Sequence, residues 1–308
     1  DGTRPADGPA AAFLTRAVTV RTKRAPRHGA PWRKQSLVSA GRAWAPRFAF
    51  TFVMVGLLAC GVRAQGTHPP QRWGHTAVYD PVGARMLVFG GAPLLNNELW
   101  SCDLSGPPRW SQLFPFGTPP EPRANHTMTY DPIRDRMVLF GGEGADSTLN
   151  DTWVLRLRPV LQWEKLAPEG TVLPQSELHT AVYDPWGDRL LVFGGAHSLG
   201  VSDPEPFGDL WSLDLGPTPR WTRLLANLPV NGPRLGHSAV IDYAGRRMIV
   251  FGGQGAGFSL LNDCLALQLG GTLAWDTLKT VGSVAPTARF LHLAAVDTVR
   301  NVMLVSGG

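Results

Sequence analysis

Histidine is the residue type of this chain that first raises the question of chemistry, because neutral imidazole is a common ligand of zinc and copper. Five histidines follow one another at separations of 51, 53, 58 and 55 residues, and they are His75, His126, His179, His237 and His292. Zinc or copper needs three or four ligands on one ion, whereas this spacing assigns one histidine to each of five units. The spacing therefore predicts a structural role for the histidines and no metal site.

Tyrosine, serine and cysteine offer no other catalytic arrangement. The four tyrosines fall at, or next to, one position of the same units, and they are Tyr79, Tyr130, Tyr183 and Tyr243. The chain lacks a Gly-x-Ser-x-Gly nucleophile elbow. Its three cysteines lack the CxxC spacing of metal sites, and they are Cys60, Cys102 and Cys264. The sequence thus predicts no catalytic residue and no cofactor.

The elements that carry the histidines are five copies of one 20-residue segment. They are Arg72–Gly91, Arg123–Gly142, Ser176–Gly195, Arg234–Gly253 and Arg289–Gly308. Each contains an alternating strand, a turn that usually begins Asp-Pro, and a nearly continuously apolar strand such as Arg85–Phe89, as expected where both faces are covered. The strand ends at a glycine pair, which permits positive φ or close backbone approach. The pairs in the first four copies are Gly90 and Gly91, Gly141 and Gly142, Gly194 and Gly195, and Gly252 and Gly253.

Tryptophans mark two further strands after each of the first four segments. The third strand carries Trp100, Trp153 and Trp211, and the fourth carries Trp110, Trp163, Trp221 and Trp275. Tryptophan is large enough to fill the space between neighbouring sheets. A sheet with two apolar faces must be covered on both sides, and radial stacking of such sheets gives a β-propeller.

A closing glycine pair followed by two tryptophans, at roughly 50 residues per unit, resembles the Kelch repeat. The resemblance covers residues 72–308 and implies an all-β Kelch propeller within residues 65–308. It implies four complete four-stranded blades at about 72–113, 123–166, 174–224 and 233–278, and the first half of a fifth at 286–308. Kelch propellers usually have six or seven blades, so we interpret the chain as a fragment with an incomplete ring.

Galactose oxidase has Kelch blades of this type, and its chemistry needs a copper site with two tyrosines, one of them cross-linked to cysteine, and two histidines. Every tyrosine of this chain has a place in the repeat, and the histidines outside it, which are His28, His68 and His197, form no closely spaced pair. A carbohydrate-active or oxidoreductase propeller is therefore the alternative in which the catalytic residues lie in sequence beyond this chain. A second alternative is a structural repeat of a larger cell-surface protein.

Charge is distributed unevenly along the chain. Residues 1–47 hold 10 of the 29 Lys and Arg and two of the 24 Asp and Glu, which leaves 19 basic and 22 acidic groups in the repeats. Because phosphate neutralisation needs clustered basic residues, we expect no nucleic-acid partner. Residues 1–46 are predicted to be a disordered basic leader or the product of a mis-assigned start.

Residues 48–62 are uncharged and apolar, and small residues at 62 and 64 complete the pattern of a cleavage site. This predicts a signal peptide or lipoprotein signal over residues 47–64 and export to the periplasm, the cell surface or the medium. The run Leu57-Leu58-Ala59-Cys60 resembles a bacterial lipobox. A lipid on Cys60 is the one membrane attachment that we expect.

One end of the blades is predicted to bind a partner. This end, the loop face, carries both the connections between blades and the loops between second and third strands. Those loops cover residues 92–96, 143–149, 196–207 and 254–261. Loop lengths vary there while the opposite turns stay nearly constant, which is typical of a scaffold with a tuned binding surface. We predict a protein or glycan ligand, with candidate contacts at Glu143, Asp146, His197, Asp203 and Glu205. Phe114 and Phe116 of the first connection are further candidates.

Four arginines on the same face are ligand candidates by resemblance. They stand three residues before a histidine, and they are Arg72, Arg123, Arg234 and Arg289, with Ser176 in the third unit. In Kelch adaptor propellers that bind acidic peptides, arginines of similar placement line the mouth of the pocket. The resemblance implies contacts with an anionic ligand. The alternative is hydrogen bonding between blades, to carbonyl groups or Asp carboxylates.

Overall fold

The structure, a computed structural model, describes residues 20–21, 68–171, 173–197, 205–225, 232–279 and 286–308. Cys60, the apolar stretch 48–62 and Asp203 lie outside the described residues. In the part of the chain that is described, no helix is long and apolar enough to span a bilayer.

Each of the first four units folds into an antiparallel sheet whose strands follow chain order. Strands are numbered from a short leading strand, β1 (Val20–Arg21). Blade one contains β2 (Thr76–Asp80), β3 (Arg85–Phe89), β4 (Leu99–Asp103) and β5 (Arg109–Leu113). Blade two contains β6 (Thr127–Asp131), β7 (Arg136–Glu143), β8 (Thr148–Arg156) and β9 (Gln162–Leu166).

Blade three begins with a short outer strand, β10 (Glu169–Gly170), which pairs in parallel with the last strand of the same sheet. That sheet otherwise contains β11 (Thr180–Asp184), β12 (Arg189–Phe193), β13 (Leu210–Asp214) and β14 (Arg220–Leu225). Blade four contains β15 (Ser238–Asp242), β16 (Arg247–Gln254), β17 (Leu260–Gln268) and β18 (Ala274–Thr277), with a 3₁₀ turn at Ala256–Phe258. A final hairpin of β19 (Leu293–Asp297) and β20 (Val302–Ser306) pairs with β1 along β20.

The blades are arranged as a propeller because each first strand contacts the first strand of the next blade, from β2 through β6, β11 and β15 to β19. The core accordingly consists of four apolar clusters, one at each blade junction. At the first junction, Phe89 of blade one packs against Trp163 of blade two with ring centroids 5.0 Å apart. Phe140 and Trp221 repeat the contact at 5.1 Å. The predicted all-β propeller is confirmed.

Two of the predicted loops are partly strand. In blade two, β7 and β8 continue past the glycine pair, with Glu143 opposite Thr148 and a shift of register between Phe140 and Gly142. In blade four, β16 and β17 continue in the same way, with Gln254 opposite Leu260. The bulge at the glycine pair bends the strand without ending it, so these loops are shorter than the sequence predicts.

Candidate functional site

The turns between first and second strands are built alike around one aspartate. In blade one, Asp80 accepts hydrogen bonds from the Gly83 amide and from Arg85 Nε, both at 2.9 Å. Asp242 accepts the same pair of bonds from Gly245 and Arg247. Asp131 and Asp184 hold equivalent turns in blades two and three.

These turns share one end of the blades, the turn face, where arginines also link one blade to the next. Arg158 of blade two donates to Asp80 of blade one at 2.9 Å and to Asp135 of its own blade. Burial alone would raise the pKa of Asp80, but its hydrogen bonds from Arg158, Gly83 and Arg85 bring the pKa down to about 2. Arg134 joins blade two to Asp188 of blade three at 2.6 Å. Charges on this face are therefore satisfied within the propeller.

The histidines link the blades near the loop face. His179 Nε2 lies 2.9 Å from the hydroxyl of Thr127 in the preceding blade, and its ring lies edge-on against Phe140. Burial lowers the pKa of His179 to about 3, so the ring stays neutral at pH 7. The same contacts recur for His126, His237 and His292, which pair with Thr76, Thr180 and Ser238.

The glycine pairs bring neighbouring main chains together. The Gly91 amide donates to the Arg123 carbonyl of blade two at 2.8 Å. Gly90 has φ +68°, and a Cβ there would lie 2.6 Å from the same carbonyl oxygen. Glycine is required here both by its backbone conformation and by the close approach. Equivalent bonds run from Gly142 to Ser176 and from Gly195 to Arg234.

Two of the four arginines on the loop face are fully buried. Arg123 donates to both carboxylate oxygens of Asp151, at 2.7 and 2.9 Å, and to the Gly141 carbonyl. Arg234 makes the same bonds to Asp263 and Gly252. Both arginines are 0% exposed. Their carboxylate partners lie within one blade rather than between blades, and a contact of Arg123 or Arg234 with an anionic ligand stays a prediction.

The two remaining arginines differ in exposure. Arg72 resembles the buried pair, because its side chain is 5% exposed and donates to Glu98 at 2.6 Å and to the Gly90 carbonyl at 3.0 Å. Arg289 is more exposed and donates to the Gly307 carbonyl and to Thr287. A ligand contact at Arg289 stays a prediction.

Blade three breaks the arginine pattern. Ser176 replaces the arginine and makes only a long contact, 3.5 Å, to the Gly194 carbonyl. Asp209, at the position of Asp151, instead accepts a hydrogen bond from Arg223 on the fourth strand at 2.6 Å. In this blade the charge pair is Asp209 with Arg223, on the outer side. Among the described residues, no cation takes the place of the missing arginine on the inner side.

A pair of glutamates occupies the inner side of this junction. Asn125 Nδ2 donates to Glu143 Oε2 at 3.1 Å and to Glu177 Oε2 at 3.0 Å, so the two oxygens are at most 6.1 Å apart. Glu177 is 5% exposed. Burial raises the pKa of Glu177, the bond from Asn125 lowers it, and nearby Glu143 raises it, with a net increase.

Main-chain bonds hold this junction close to the propeller axis. The residue before each histidine has positive φ, and its amide donates to the equivalent carbonyl of the previous blade. The bonds run from Asn125 to Gly74, Leu178 to Asn125, Gly236 to Leu178 and Leu291 to Gly236, at 2.7 to 3.1 Å. Asn125 and Glu177 are therefore fixed by the framework and do not depend on a loop for their position.

Comparison with known proteins agrees with this architecture. The sequence profile of the KLHDC2/KLHL20/DRC7 Kelch-repeats domain matches residues 48–215 and 158–308. The chain belongs to the Kelch-repeat family.

Individual relatives contain this Kelch region within longer chains. Acyl-CoA-binding domain-containing protein 5 of Arabidopsis thaliana is 31% identical over 65% of this chain and 30% of its own length. Putative adagio-like protein 2 of Oryza sativa subsp. japonica is 34% identical over 61% of this chain and 31% of its own. The chain thus spans less than a third of these relatives.

A solved structure shares the fold. The structure of YjhT superposes with a TM-score of 0.59 at 17% sequence identity, covering 75% of this chain and 71% of that one. At this identity the likeness extends to the fold alone.

Three other candidates on the loop face of the Kelch blades are exposed, and they are Asp146, His197 and Glu205. Phe116 pairs with Gln162 at the outer edge of blade two, so it lies away from the axis. Within the described residues, no three His, Cys, Asp or Glu side chains come close enough to hold a metal ion.

Sequence reasoning named Glu143 but missed Asn125 and Glu177. One signal was available. The residue two before the histidine is Trp73, Ala124, Leu235 or Phe290 in the other Kelch units, and only blade three has an acid there. This acid, Glu177, directly follows Ser176, which stands where the other units have arginine. Two departures from the repeat are therefore adjacent in the third unit.

Proposed function

We propose that this chain is a non-catalytic binding module that acts outside the cytoplasm and recognises a protein partner through its loop face. A glycan is the other ligand class that the sequence allows. A protein partner is favoured because the chain belongs to the Kelch-repeat family, whose repeats generally mediate protein binding.

The observation that carries the proposal is the contrast between the two faces. On the turn face the same aspartate bonds recur in four blades, and arginines between blades use the remaining charge. On the loop face the hairpins differ in length, and the charged residues differ between blades. A constant scaffold with a variable end is the usual arrangement of a binding surface.

Photocrosslinking tests the loop-face proposal. A benzophenone amino acid placed at Asp146 or Glu205 samples the loop face, and one placed at Val82 or Val299 samples the turn face with equally exposed positions. In the organism that makes the protein, we expect one partner protein to be captured from the loop face only. The purified partner must then bind the unmodified chain and lose affinity when Asp146 and Glu205 are changed to Lys. Equal capture from both faces would refute the proposal.

The extracytoplasmic location rests on the sequence of residues 47–64. Mass spectrometry of the protein from its native host tests it directly. A mature N-terminus just after Ala64 is expected for a signal peptide, and a lipid-modified N-terminal Cys60 for a lipoprotein. An intact leader in fully folded protein would refute export.

A further inference from the structure

Glu143 and Glu177 both occupy positions where the other blades have no acid. The equivalents of Glu143 are Ala92, Ala196 and Gln254, which pair with the residue two before the histidine in their own blades. Both departures occur at the junction between blades two and three. They meet because Asn125 donates to both carboxylates.

Glu177 is buried without a cation. Among the described residues, the other buried carboxylates each have an arginine partner, and they are Asp80, Asp131, Asp184 and Asp242. Glu177 has one neutral hydrogen bond and a second carboxylate close by. Burying a charge is costly unless it is paired, so this arrangement lacks the partner that the framework carboxylates have.

A second polar group at the same place is also unused. The Thr148 hydroxyl is fully buried and has no hydrogen-bond partner among the residues that the structure describes. Thr148 lies directly opposite Glu143 in the β7–β8 hairpin, and opposed side chains of an antiparallel pair project from the same face of the sheet. A buried hydroxyl without a partner costs stability. Its oxygen can accept a hydrogen bond from a donor that enters beside Glu143.

The surroundings add negative charge. Glu177 pairs through its backbone with Ala196, which pairs with Pro206, so the long loop of blade three starts and ends beside the glutamate pair. Glu205 lies at the end of that loop, and Asp146 lies in the turn that follows Glu143. Arg123, which stands two residues before Asn125, already donates to both carboxylate oxygens of Asp151.

We propose that Glu143 and Glu177 form a binding site for the guanidinium group of an arginine side chain on the partner protein. The proposal rests on the proposed function, because it names the chemistry that the loop face recognises. Guanidinium is planar and donates up to five hydrogen bonds in a fixed fork. It can therefore bridge two carboxylates whose nearest identified oxygens are at most 6.1 Å apart.

Binding of a small arginine derivative tests this site in the full chain. N-acetyl-arginine-N-methylamide is titrated while backbone amide resonances are followed by NMR, and the citrulline analogue serves as the neutral control of the same shape. We expect saturable shifts centred on Asn125, Glu143 and Glu177 with the arginine derivative alone. Glu177→Gln should weaken binding tenfold or more, whereas Glu164→Gln, which removes an exposed acid from the outer strand of blade two, should change it less than twofold. Glu143→Gln is the second variant if Glu177→Gln does not fold.

Three results would overturn the site. They are equal binding of the citrulline analogue, unchanged affinity of a folded Glu177→Gln or Glu143→Gln variant, or calcium chloride shifting the same resonances at lower concentration than the arginine derivative. The outcome is separable from the crosslinking experiment. Capture of a partner from the loop face without arginine binding refutes this site and leaves the proposed function in place. Binding of the arginine derivative without capture from the loop face refutes the proposed function and leaves the site in place.

Discussion

Blades two and three differ in how charge is placed just before their first strands, at Arg123 and at Ser176 and Glu177. In blade two, Arg123 is buried against Asp151, and each charge has its partner. In blade three, Ser176 leaves that position uncharged, and Glu177 is buried with no arginine. The first arrangement holds the sheet and its glycine pair together. The second has a charge that the fold does not use, which is what distinguishes a candidate binding residue from a framework residue in a repeat protein.

The largest expected effect is at the framework side of this comparison. Gly90→Val should destabilise the protein by about 2–6 kcal/mol, because strain at positive φ and overpacking each cost about 1–3 kcal/mol. A Cβ at Gly90 would also lie 2.6 Å from the Arg123 carbonyl oxygen. Urea unfolding measures the change.

Gly106→Ala is the control, because a Cβ there has no atom within 4 Å. Equal unfolding midpoints for Gly90→Val and the unmodified protein would show that the close approach between blades one and two is wrong.

Removing the ion pair between Arg123 and Asp151 should lower the unfolding free energy by nearly as much. Arg123→Met leaves Asp151 partly buried without its cation, and loss of one member of a buried ion pair costs about 3 kcal/mol. Arg156→Met removes an arginine from the exposed pair with Glu164 and should cost less than about 1 kcal/mol. The difference between the unfolding free energies of the two variants measures how much the buried pair contributes beyond an exposed one. If both substitutions cost the same, Arg123 does not hold the blade.

The interblade histidines should make the framework sensitive to acid. The unfolded chain binds protons near pH 6.5, whereas folded His179 does so only at a pKa of about 3. Stability therefore falls as pH falls from 6.5, by about 1.4 kcal/mol per pH unit for each such group. His179→Gln should flatten the pH dependence of the unfolding free energy by that amount between pH 6.5 and 5.0.

Gly106→Ala, which changes no ionisable group, is the control for this pH dependence and should leave the slope unchanged. An unchanged slope in His179→Gln as well would mean that this ring takes up protons in the folded state.

The smallest stability effect is expected on the other side of the comparison. The pKa of Glu177 is raised in the folded state, so its ionised form opposes folding at pH 7.5, and this cost disappears as pH falls below that pKa. Glu177→Gln should therefore raise the unfolding free energy at pH 7.5, by less than about 1 kcal/mol, and leave it unchanged at pH 4. Asp146→Asn should change neither value. A clear loss of stability at pH 7.5 would assign Glu177 to the framework.

The periodic part of this structure could be predicted from the sequence, because periodicity reports burial. The nearly continuous apolar run Arg85–Phe89 is β3 in the structure, residue for residue. The direction in which a polar side chain points cannot be predicted from the period of the repeat. The spacing of Arg123 from its histidine gives its place on the loop face, but whether its guanidinium turns outward or toward Asp151 depends on the third strand. An acid occurs on that strand or directly before it in each complete blade that has the arginine, and these acids are Glu98, Asp151 and Asp263.

The glutamate pair could not be predicted by the same route. Glu143 and Glu177 are 34 positions apart and come from different blades. They are brought together by the extension of β7 past the glycine pair and by the left-handed turn at Asn125, where φ is +55°. Only the break in the repeat at Ser176 and Glu177 pointed to this junction.

The central claim is that repeat positions hold the propeller and that the break in the repeat binds the partner. A scan of all substitutions at Arg123, Asn125, Glu143, Glu177 and Arg234, with each variant sorted separately for abundance and for binding of the crosslinked partner, tests it most directly. The account predicts that variants of Arg123 and Arg234 lose abundance and binding together, whereas variants of Glu143 and Glu177 lose binding at normal abundance. Glu177 variants that lose abundance as Arg123 variants do, or that keep full binding, would contradict it.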